Sequence, residues 1–332
     1  IGRRDTDHLF GCNPCSEIIL RDGQFCNLTE VVVRAEDKQK DIMRKVRLAS
    51  ILGTFQASLT NIKRLRPKWV HNTEEEALLG VSLTGIMDNA FMNGSSDDNR
   101  GYYGKKSLAD FLVELRKESV KTNEHWSELL GIQQATATTA IKPSGTVSQL
   151  VDSASGIHAR HNPYYIRTVR GDNKDPLTEF MKSCGIPNEP DVMKTEHTTV
   201  FSFPMKAPSG SVCRTDMTAI EQLEIWKTYA KHWCEHKPSV TISVKEEEWV
   251  PVGAWCWENF EYLSGVSFLP FSDHTYQQAP YQDIDEKTYK ELVKAMPSSI
   301  NWAKLKDFEK EDNTKGSQEL ACTAGVCELV DI

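Results

Sequence analysis

A chain of 332 residues, 39% hydrophobic and 26% charged, has room for one large or two modest domains with a sizeable core. Its net charge of −8, with no basic block, argues against a nucleic-acid surface as the main function. No apolar run approaches a membrane span and no signal-peptide pattern opens the chain, and its nine cysteines follow no small-disulfide-protein spacing, so a reducing cytoplasm is the expected compartment.

The chain opens on Ile1-Gly2-Arg3-Arg4, without an initiator Met, and is expected to be a piece of something longer. It runs at once into Gly11-Cys12-Asn13-Pro14-Cys15-Ser16-Glu17-Ile18-Ile19-Leu20, followed by Phe25-Cys26-Asn27-Leu28-Thr29-Glu30. Pro14 fixes φ and biases Asn13 toward extended geometry, so Asn13-Pro14-Cys15 is read as a tight loop tip. Glu17–Leu20 and Phe25–Leu28 read as short extended runs around an Asp22-Gly23 turn, a hairpin that would return Cys26 toward Cys15. The chemistry on offer is a thiol beside a proton acceptor, with a second thiol near enough for a disulfide. Cys12 and Cys15 also form a C-x-x-C, open to reading as half a zinc site or a redox pair. Zinc wants a second ligand pair, for which only His158/His161 and distant cysteines are available, and a thioredoxin-type motif wants a helix directly after it.

The spacing predicts a long amphipathic helix over 38–65, with Ile42, Val46, Leu48, Ile51, Leu52, Phe55 and Leu59 on one face. A buried strand is expected over 78–85, a loop over 94–101, and a second long helix over 107–130 capped by Ser107. Residues 135–141 read as a strand feeding Lys142-Pro143-Ser144-Gly145-Thr146-Val147-Ser148. A strand, a Pro/Gly/Ser/Thr turn and a helix start make an anion site, because freed backbone N–H groups and the positive helix end point the same way. It is not a Walker A loop, and taken alone such a turn is commonly a plain connection.

Gly156-Ile157-His158-Ala159-Arg160-His161 follows, its histidines assigned to local hydrogen bonding, and then Tyr164–Arg170 alternates as a strand. The remainder alternates strand-like and helical text at 198–203, 219–236, 239–244, 253–263, 266–271 and 285–296, arguing an α/β fold with a largely parallel sheet. Trp226, Trp233, Trp249, Trp255 and Trp257 are assigned to core and interface packing, and Cys184, Cys213, Cys234 and Cys256 to small core hydrophobes. From Lys306 to Glu319 the text is charged and lacks an apolar period, and it ends in Cys322 and Cys327, with four residues between them. That spacing suits a reversible dithiol better than zinc, and the sixteen residues after Lys306 could stretch to roughly 55 Å.

Asn13-Pro14-Cys15-Ser16-Glu17 resembles the N-P-C-x-E signature on the finger loop of ribonucleotide reductases, and the later landmarks occur in that family's order along the whole chain. The eleven-residue step from Cys15 to Cys26 is most similar to the adenosylcobalamin-dependent, monomeric class. The resemblance implies the second half of a ten-stranded α/β barrel over 1–305, with finger loop 1–30 and phosphate loop 142–148, and a flexible redox tail over 306–332. It implies reduction of ribonucleoside triphosphates with adenosylcobalamin: Cys15 as thiyl radical, Glu17 as general base, Asn13 orienting the substrate and Cys26 as reductant. Cys322 and Cys327 would be the shuttle dithiol, and Ser144, Gly145, Thr146, Val147 and Ser148 would hold the substrate phosphates. No protein-bound metal ion is implied; the partners are thioredoxin or a similar dithiol and an N-terminal half carrying another cysteine. The tyrosine pair of the iron-dependent class lies near the end of its catalytic domain, so Tyr164-Tyr165 is assigned to strand packing. The alternatives are a large-subunit fragment of an iron-dependent diphosphate reductase, and a non-catalytic half that only completes another chain.

Overall fold

The computed structural model describes residues 2–94, 107–271, 276–310, 320–323 and 326–329. In chain order the first elements are strands β1 (Phe10–Cys12), β2 (Ile19–Arg21) and β3 (Asn27–Val32), then helices α1 (Gln39–Ala57) and α2 (Pro67–Glu76). Strand β4 (Leu79–Thr84), helix α3 (Leu108–Leu130) and the single turn α4 (Val147–Leu150) follow. Next come β5 (Tyr164–Asp172), α5 (Pro176–Ser183), β6 (Asn188–Pro190), β7 (Thr198–Lys206) and α6 (Ala219–His232). The last are β8 (Val240–Val244), α7 (Trp249–Glu258), β9 (Val266–Pro270), β10 (Tyr281–Asp283), α8 (Glu286–Ala295), β11 (Leu320–Thr323) and β12 (Val326–Leu329). The chain forms two units, Ile1–Arg160 with Ala207–Ser272, and His161–Lys206 with Asp273–Ile332.

The first unit is built on parallel pairing. β3 lies parallel to β4 in register from Asn27↔Leu79 to Val32↔Thr84, and β8 lies parallel to β9. Residues 137–141 bridge the two pairs through Val81↔Thr139 and Ile141↔Pro238. This stretch is joined by single bridges where a regular strand was expected; hydrogen bonds such as Leu79 N–H to Ala137 O (3.0 Å) and Ser239 N–H to Ile141 O (2.9 Å) still carry the sheet across it. β4 is buried along its whole length, as a strand covered on both faces must be.

α6 packs its fully buried Trp226 and Tyr229, with Trp233 just past its end, into the hydrophobic core beside this sheet. Their polar ends are satisfied: Trp226 Nε1 donates to Pro238 O (2.9 Å), Trp233 Nε1 to Ala140 O (2.8 Å) and the Tyr229 hydroxyl to Met92 O (2.7 Å). Core packing of Trp226, Trp233 and the buried Trp255 follows the sequence expectation, whereas Trp257 is 85% exposed. Cys213 and Cys234 are buried; Cys184 and Cys256 are half-buried.

Two local expectations are corrected. The helix expected over 38–65 ends at Ala57, and a separate helix begins at Pro67, where proline at the first position suits a helix start. Moreover, α1 buries Ile42, Val46, Ala49, Ser50, Gly53, Thr54 and Ala57, while Leu48, Leu52, Phe55 and Leu59 are exposed. The small residues win the inner face because α3 comes close, with Ser50 Oγ donating to Ser119 Oγ (2.9 Å) and Asn123 Nδ2 to Thr54 Oγ1 (3.0 Å). α3 itself matches its expected bounds, with Ser107 Oγ accepting from Asp110 N–H in a capping box and Gly131 closing it in the left-handed region.

The second correction concerns the N-terminal hairpin. It pairs β1 with β2, Cys12 opposite Ile19, so the run after the Asp22-Gly23 turn does not fold back on Glu17–Leu20. Gly23 does turn the chain, with φ +73°, but Asn27–Val32 is claimed by β4, which offers a buried parallel partner.

The second unit departs from the parallel expectation. Its sheet runs β10-β5-β7-β6 and every pair in it is antiparallel, with β5 and β7 matched over nine residues from Tyr164↔Lys206 to Asp172↔Thr198. Tyr165 is buried and Tyr164 packs on Tyr289 (centroids 5.2 Å), which is strand packing. β11 and β12 form an antiparallel ribbon whose backbone register sets Cys322 opposite Cys327. Of the expected flexible tail 306–332, residues 311–319, 324–325 and 330–332 lie outside the described residues, as do the expected loop residues 95–101. Among the described residues no helix is long and apolar enough to cross a membrane.

Candidate active site

The loop between β1 and β2 is tied by Asn13. Its N–H donates to Ile18 O (3.1 Å), its Oδ1 accepts from Ile18 N–H (3.0 Å), and its carbonyl accepts from Ser16 N–H (2.9 Å). The asparagine thus closes the loop with backbone and side chain together, which Ala could not reproduce. Ser16 adopts φ +62°, and Cys12 Sγ lies 3.7 Å from Ser16 Oγ on the exposed side. Cys15 sits half-buried at the tip.

Glu17 is fully buried at the foot of this loop. Its Oε1 receives Lys142 Nζ at 3.3 Å, and its Oε2 is buried without a hydrogen-bond partner among the described residues. A buried carboxylate oxygen left open costs free energy that folding alone does not recover, so it is a natural place for an incoming donor. Cys26, at the entrance to β3, stands close by. A methyl placed on Gly80 of β4 would lie 3.2 Å from Cys26 Sγ, 3.2 Å from Ile18 Cδ1 and 2.4 Å from Leu28 Cδ2, so a larger residue here would force the Leu28 side chain to move. Burial pushes the Cys26 thiol well above its usual range, and the charge of Glu17 adds to this, against smaller opposing pulls from Arg4 and Lys142. Cys26 is therefore held as a neutral S–H.

A second carboxylate, Glu30 on β3, faces the turn 142–148. Its Oε1 accepts from Ser82 Oγ (2.9 Å), and its Oε2 accepts from Ser144 Oγ. Ser82 Oγ in turn accepts the Lys142 N–H (2.9 Å). Burial raises the Glu30 carboxyl, while Ser144, Ser82 and then Lys142 pull it down and Glu17 pushes it up. Within the turn, Ser144 is buried with φ +57°, and Ser148 is buried with its Oγ 2.6 Å from Ser155 Oγ. Gly145 and Thr146 are exposed. Ser148 N–H is taken by Ser144 O (3.0 Å), while the N–H groups of Gly145, Thr146 and Val147 bond to no other described residue.

The structure therefore brings Glu17, Cys26 and the 142–148 turn to one side of the β3–β4 pair, with Asn13 and Cys15 on the loop above Glu17. Sequence reasoning passed over Lys142, Glu30 and Ser82, which connect these parts. The signal available was the alternation of β3, which puts Glu30 on the same face as Leu28 and Cys26. His158 uses both ring nitrogens, Nδ1 locally on Ser155 O (2.9 Å) and Nε2 accepting from the distant Thr241 N–H of β8 (3.0 Å). Burial lowers its pKa, leaving a neutral ring whose nitrogens are both taken. His161 pairs with Asp283 (2.7 Å), and Arg160 is buried on Asp88 through paired contacts of 2.8 and 2.9 Å, so the Gly156–His161 text is structural.

A second missed feature braces the loop from behind. Arg4 Nε and Nη2 each meet a Glu76 oxygen at 2.7 Å, Nη1 donates to Ile19 O at 2.6 Å, and Gln24 shares the same carboxylate.

No family model matches the chain. Curated relatives do: the adenosylcobalamin-dependent ribonucleoside-triphosphate reductase of Lactobacillus leichmannii is 29% identical over 351 residues, covering 96% of this chain and 45% of that protein. A probable enzyme of the same name from Dictyostelium discoideum is 29% identical, covering 96% of this chain and 40% of its own length. The likeness is to the adenosylcobalamin-dependent ribonucleotide reductases. In fold, a crystal structure of a B12-dependent (class II) ribonucleotide reductase superposes with TM-score 0.73 at 24% identity, over 91% of this chain and 44% of that one. The Actinobacillus ureae class Id ribonucleotide reductase alpha subunit gives 0.51 at 12% identity, over 79% and 53%. The resemblance stated from Asn13, Cys15, Glu17 and Cys26 thus extends to nearly the whole chain, and the chain spans about 45% of the length of the curated relatives it matches.

Proposed function

We propose that the chain is the catalytic portion of an adenosylcobalamin-dependent ribonucleotide reductase, reducing ribonucleoside triphosphates to 2′-deoxyribonucleoside triphosphates in the cytoplasm. The observation that carries this is the fully buried Glu17, with one oxygen open, beneath the Cys15 loop and beside the neutral thiol of Cys26. The curated relatives' names favour triphosphate substrates and cobalamin over the iron-dependent, diphosphate-using alternative.

Adenosylcobalamin, when bound, supplies the organic radical that removes the hydrogen atom from Cys15. The part of this chain that fits it is the loop tip, where Cys12 and Pro14 are exposed and Cys15 is half-buried, open to approach from outside. The Cys15 thiyl then takes the ribose 3′-hydrogen, a reversible step because S–H and this C–H bond are similar in strength. Glu17 Oε2 accepts the 3′-hydroxyl proton, the positioned-base role that its open, buried oxygen suits. Lys142, 3.3 Å from Oε1, balances the carboxylate charge. The 2′-hydroxyl leaves as water. Cys26 and a second thiol give up two electrons and two hydrogens and become a disulfide, after which Cys15 returns its hydrogen to C3′. Asn13, having spent Oδ1 on the loop, keeps its Nδ2 donors for the ribose hydroxyls. The N–H groups of Gly145, Thr146 and Val147, with the buried serines Ser144 and Ser148 shaping the turn, would hold the substrate phosphates.

The second thiol belongs to a partner half, in keeping with the share of the relatives' length that this chain spans. The whole would form the ten-stranded barrel, of which residues 1–305 supply one half. Cys322 and Cys327, opposite one another in the terminal ribbon, would reduce the disulfide by exchange and be reset by thioredoxin or a similar dithiol. The deciding assay is deoxynucleotide formation from ribonucleoside triphosphate with adenosylcobalamin and dithiothreitol, with the N-terminal half added. Cys15→Ser should abolish it without moving the melting curve; turnover by that variant rules the assignment out.

A further inference from the structure

We propose that Glu30 is the positioning residue that shapes the phosphate-binding turn, acting through Ser144 and Ser82; this rests on the reading of residues 142–148 as the substrate-phosphate site. One carboxylate pins the turn at two points. Ser144 Oγ donates to Oε2 directly, and the Lys142 N–H is held through Ser82 Oγ, whose own hydrogen goes to Oε1. At the first of these anchors Ser144 takes φ +57°, a strained conformation for a non-glycine residue that persists only where its surroundings hold it. With Ser144 so held, the chain turns away and leaves the N–H groups of Gly145, Thr146 and Val147 without partners among the described residues. Glycine would reach the same φ freely. Serine reaches it with a hydroxyl that reports to Glu30, so the geometry of the turn depends on a side chain from another strand.

A carboxylate behind an anion site opposes the ligand by charge, and burial softens this by favouring the neutral carboxyl. In either form the Glu30–Ser144 hydrogen bond survives, since the proton can sit on either oxygen. Glu30→Gln keeps one acceptor and turns an amide N–H toward the other serine, whose hydroxyl can accept it instead, whereas Glu30→Ala loses both contacts.

The test is calorimetric titration of the full chain with inorganic tripolyphosphate, then with ATP, for wild type, Glu30→Gln, Glu30→Ala, Ser144→Ala and the Glu30→Ala/Ser144→Ala double variant. Loss of one hydrogen bond of ordinary strength predicts tripolyphosphate binding weakened about 5–10-fold in Glu30→Ala and in Ser144→Ala. The double variant should bind no more weakly than either single, and Glu30→Gln should stay within about twofold of wild type. A merely structural Glu30 would move the melting point without this non-additivity in affinity. Wild-type affinity in Ser144→Ala, or losses that multiply in the double variant, overturns the role of Glu30 while leaving the phosphate turn intact. Absence of tripolyphosphate and ATP binding by wild type removes the phosphate-turn reading itself, and the role of Glu30 with it.

Discussion

Replacing Arg4 by Met tests whether the Asn13–Glu17 loop is held from behind by a buried ion pair. Arg4 and Glu76 are 6% and 4% exposed, and the guanidinium spans both Glu76 oxygens at 2.7 Å while also binding Ile19 O. Met fills much of the volume, so the loss is electrostatic: a buried carboxylate is left with Gln24 and with Arg21, whose Nη1 is 3.9 Å from Oε2. Breaking one side of such a pair costs about 3–5 kcal/mol, and the remaining partners should reduce this to about 2–4. For a domain of this size that lowers the melting midpoint by about 4–16 °C. The effect has a pH signature. Burial alone would push the Glu76 carboxyl up, but hydrogen bonds from Arg4 and Gln24 and the charges of Arg4 and Arg21 outweigh it and hold it below its usual range. A depressed carboxyl stabilises the fold above its unfolded pKa of ~4.3, and that contribution is lost as pH falls through the folded value. The gap between wild type and Arg4→Met should therefore be full at pH 7 and close in acid. Melting curves by circular dichroism from pH 3 to 8 measure it. Arg4→Lys should not restore wild type, because an ammonium cannot span both oxygens and Ile19 O. A midpoint within a degree of wild type at pH 7, or a gap unchanged down to pH 3, would refute the reasoning.

Cys26 in the folded chain should alkylate with iodoacetamide at pH 8 at least about tenfold more slowly than a free peptide thiol, and at the ordinary rate in urea. Because its pKa is raised, the fold favours the protonated thiol, so its contribution to stability should fall as pH rises above ~8.5, a slope that Cys26→Ala removes. Gly80→Ala should cost about 1–3 kcal/mol through the contacts with Leu28, Cys26 and Ile18, read by urea titration; an unchanged midpoint would mean the strand yields there. Replacing Cys322 and Cys327 by Ser should stop turnover with thioredoxin after about one cycle and leave turnover with a small dithiol intact, as single-turnover and steady-state assays would distinguish.

What the sequence determined by itself was local and chemical. The Asn13-Pro14-Cys15-Ser16-Glu17 text specifies its loop because Pro14 and the Asn13 amide act within a few residues, and α3 was legible because Ser107 and Gly131 mark its ends on the chain itself. The alternation of elements over 239–271 likewise pointed to the parallel pairing of β8 with β9. Tertiary structure decided whatever depends on which surface meets which. The inner face of α1 went to Ser50, Gly53 and Thr54, since the close approach of α3 rewards small size over hydrophobicity, and Leu52 was left outside. The partner of the strand after Cys26 became β4 and not the preceding run, since a buried parallel neighbour outweighs a short local hairpin. The second unit's antiparallel sheet came from β5 and β7 pairing across α5, which no periodicity in either strand announces. Most of the site's wiring is of this kind. Arg4 with Glu76, Lys142 with Glu17, and Glu30 with Ser144 join residues 72, 125 and 114 positions apart, and each charge or hydroxyl acquired its role only when folding removed the water that would otherwise have served it.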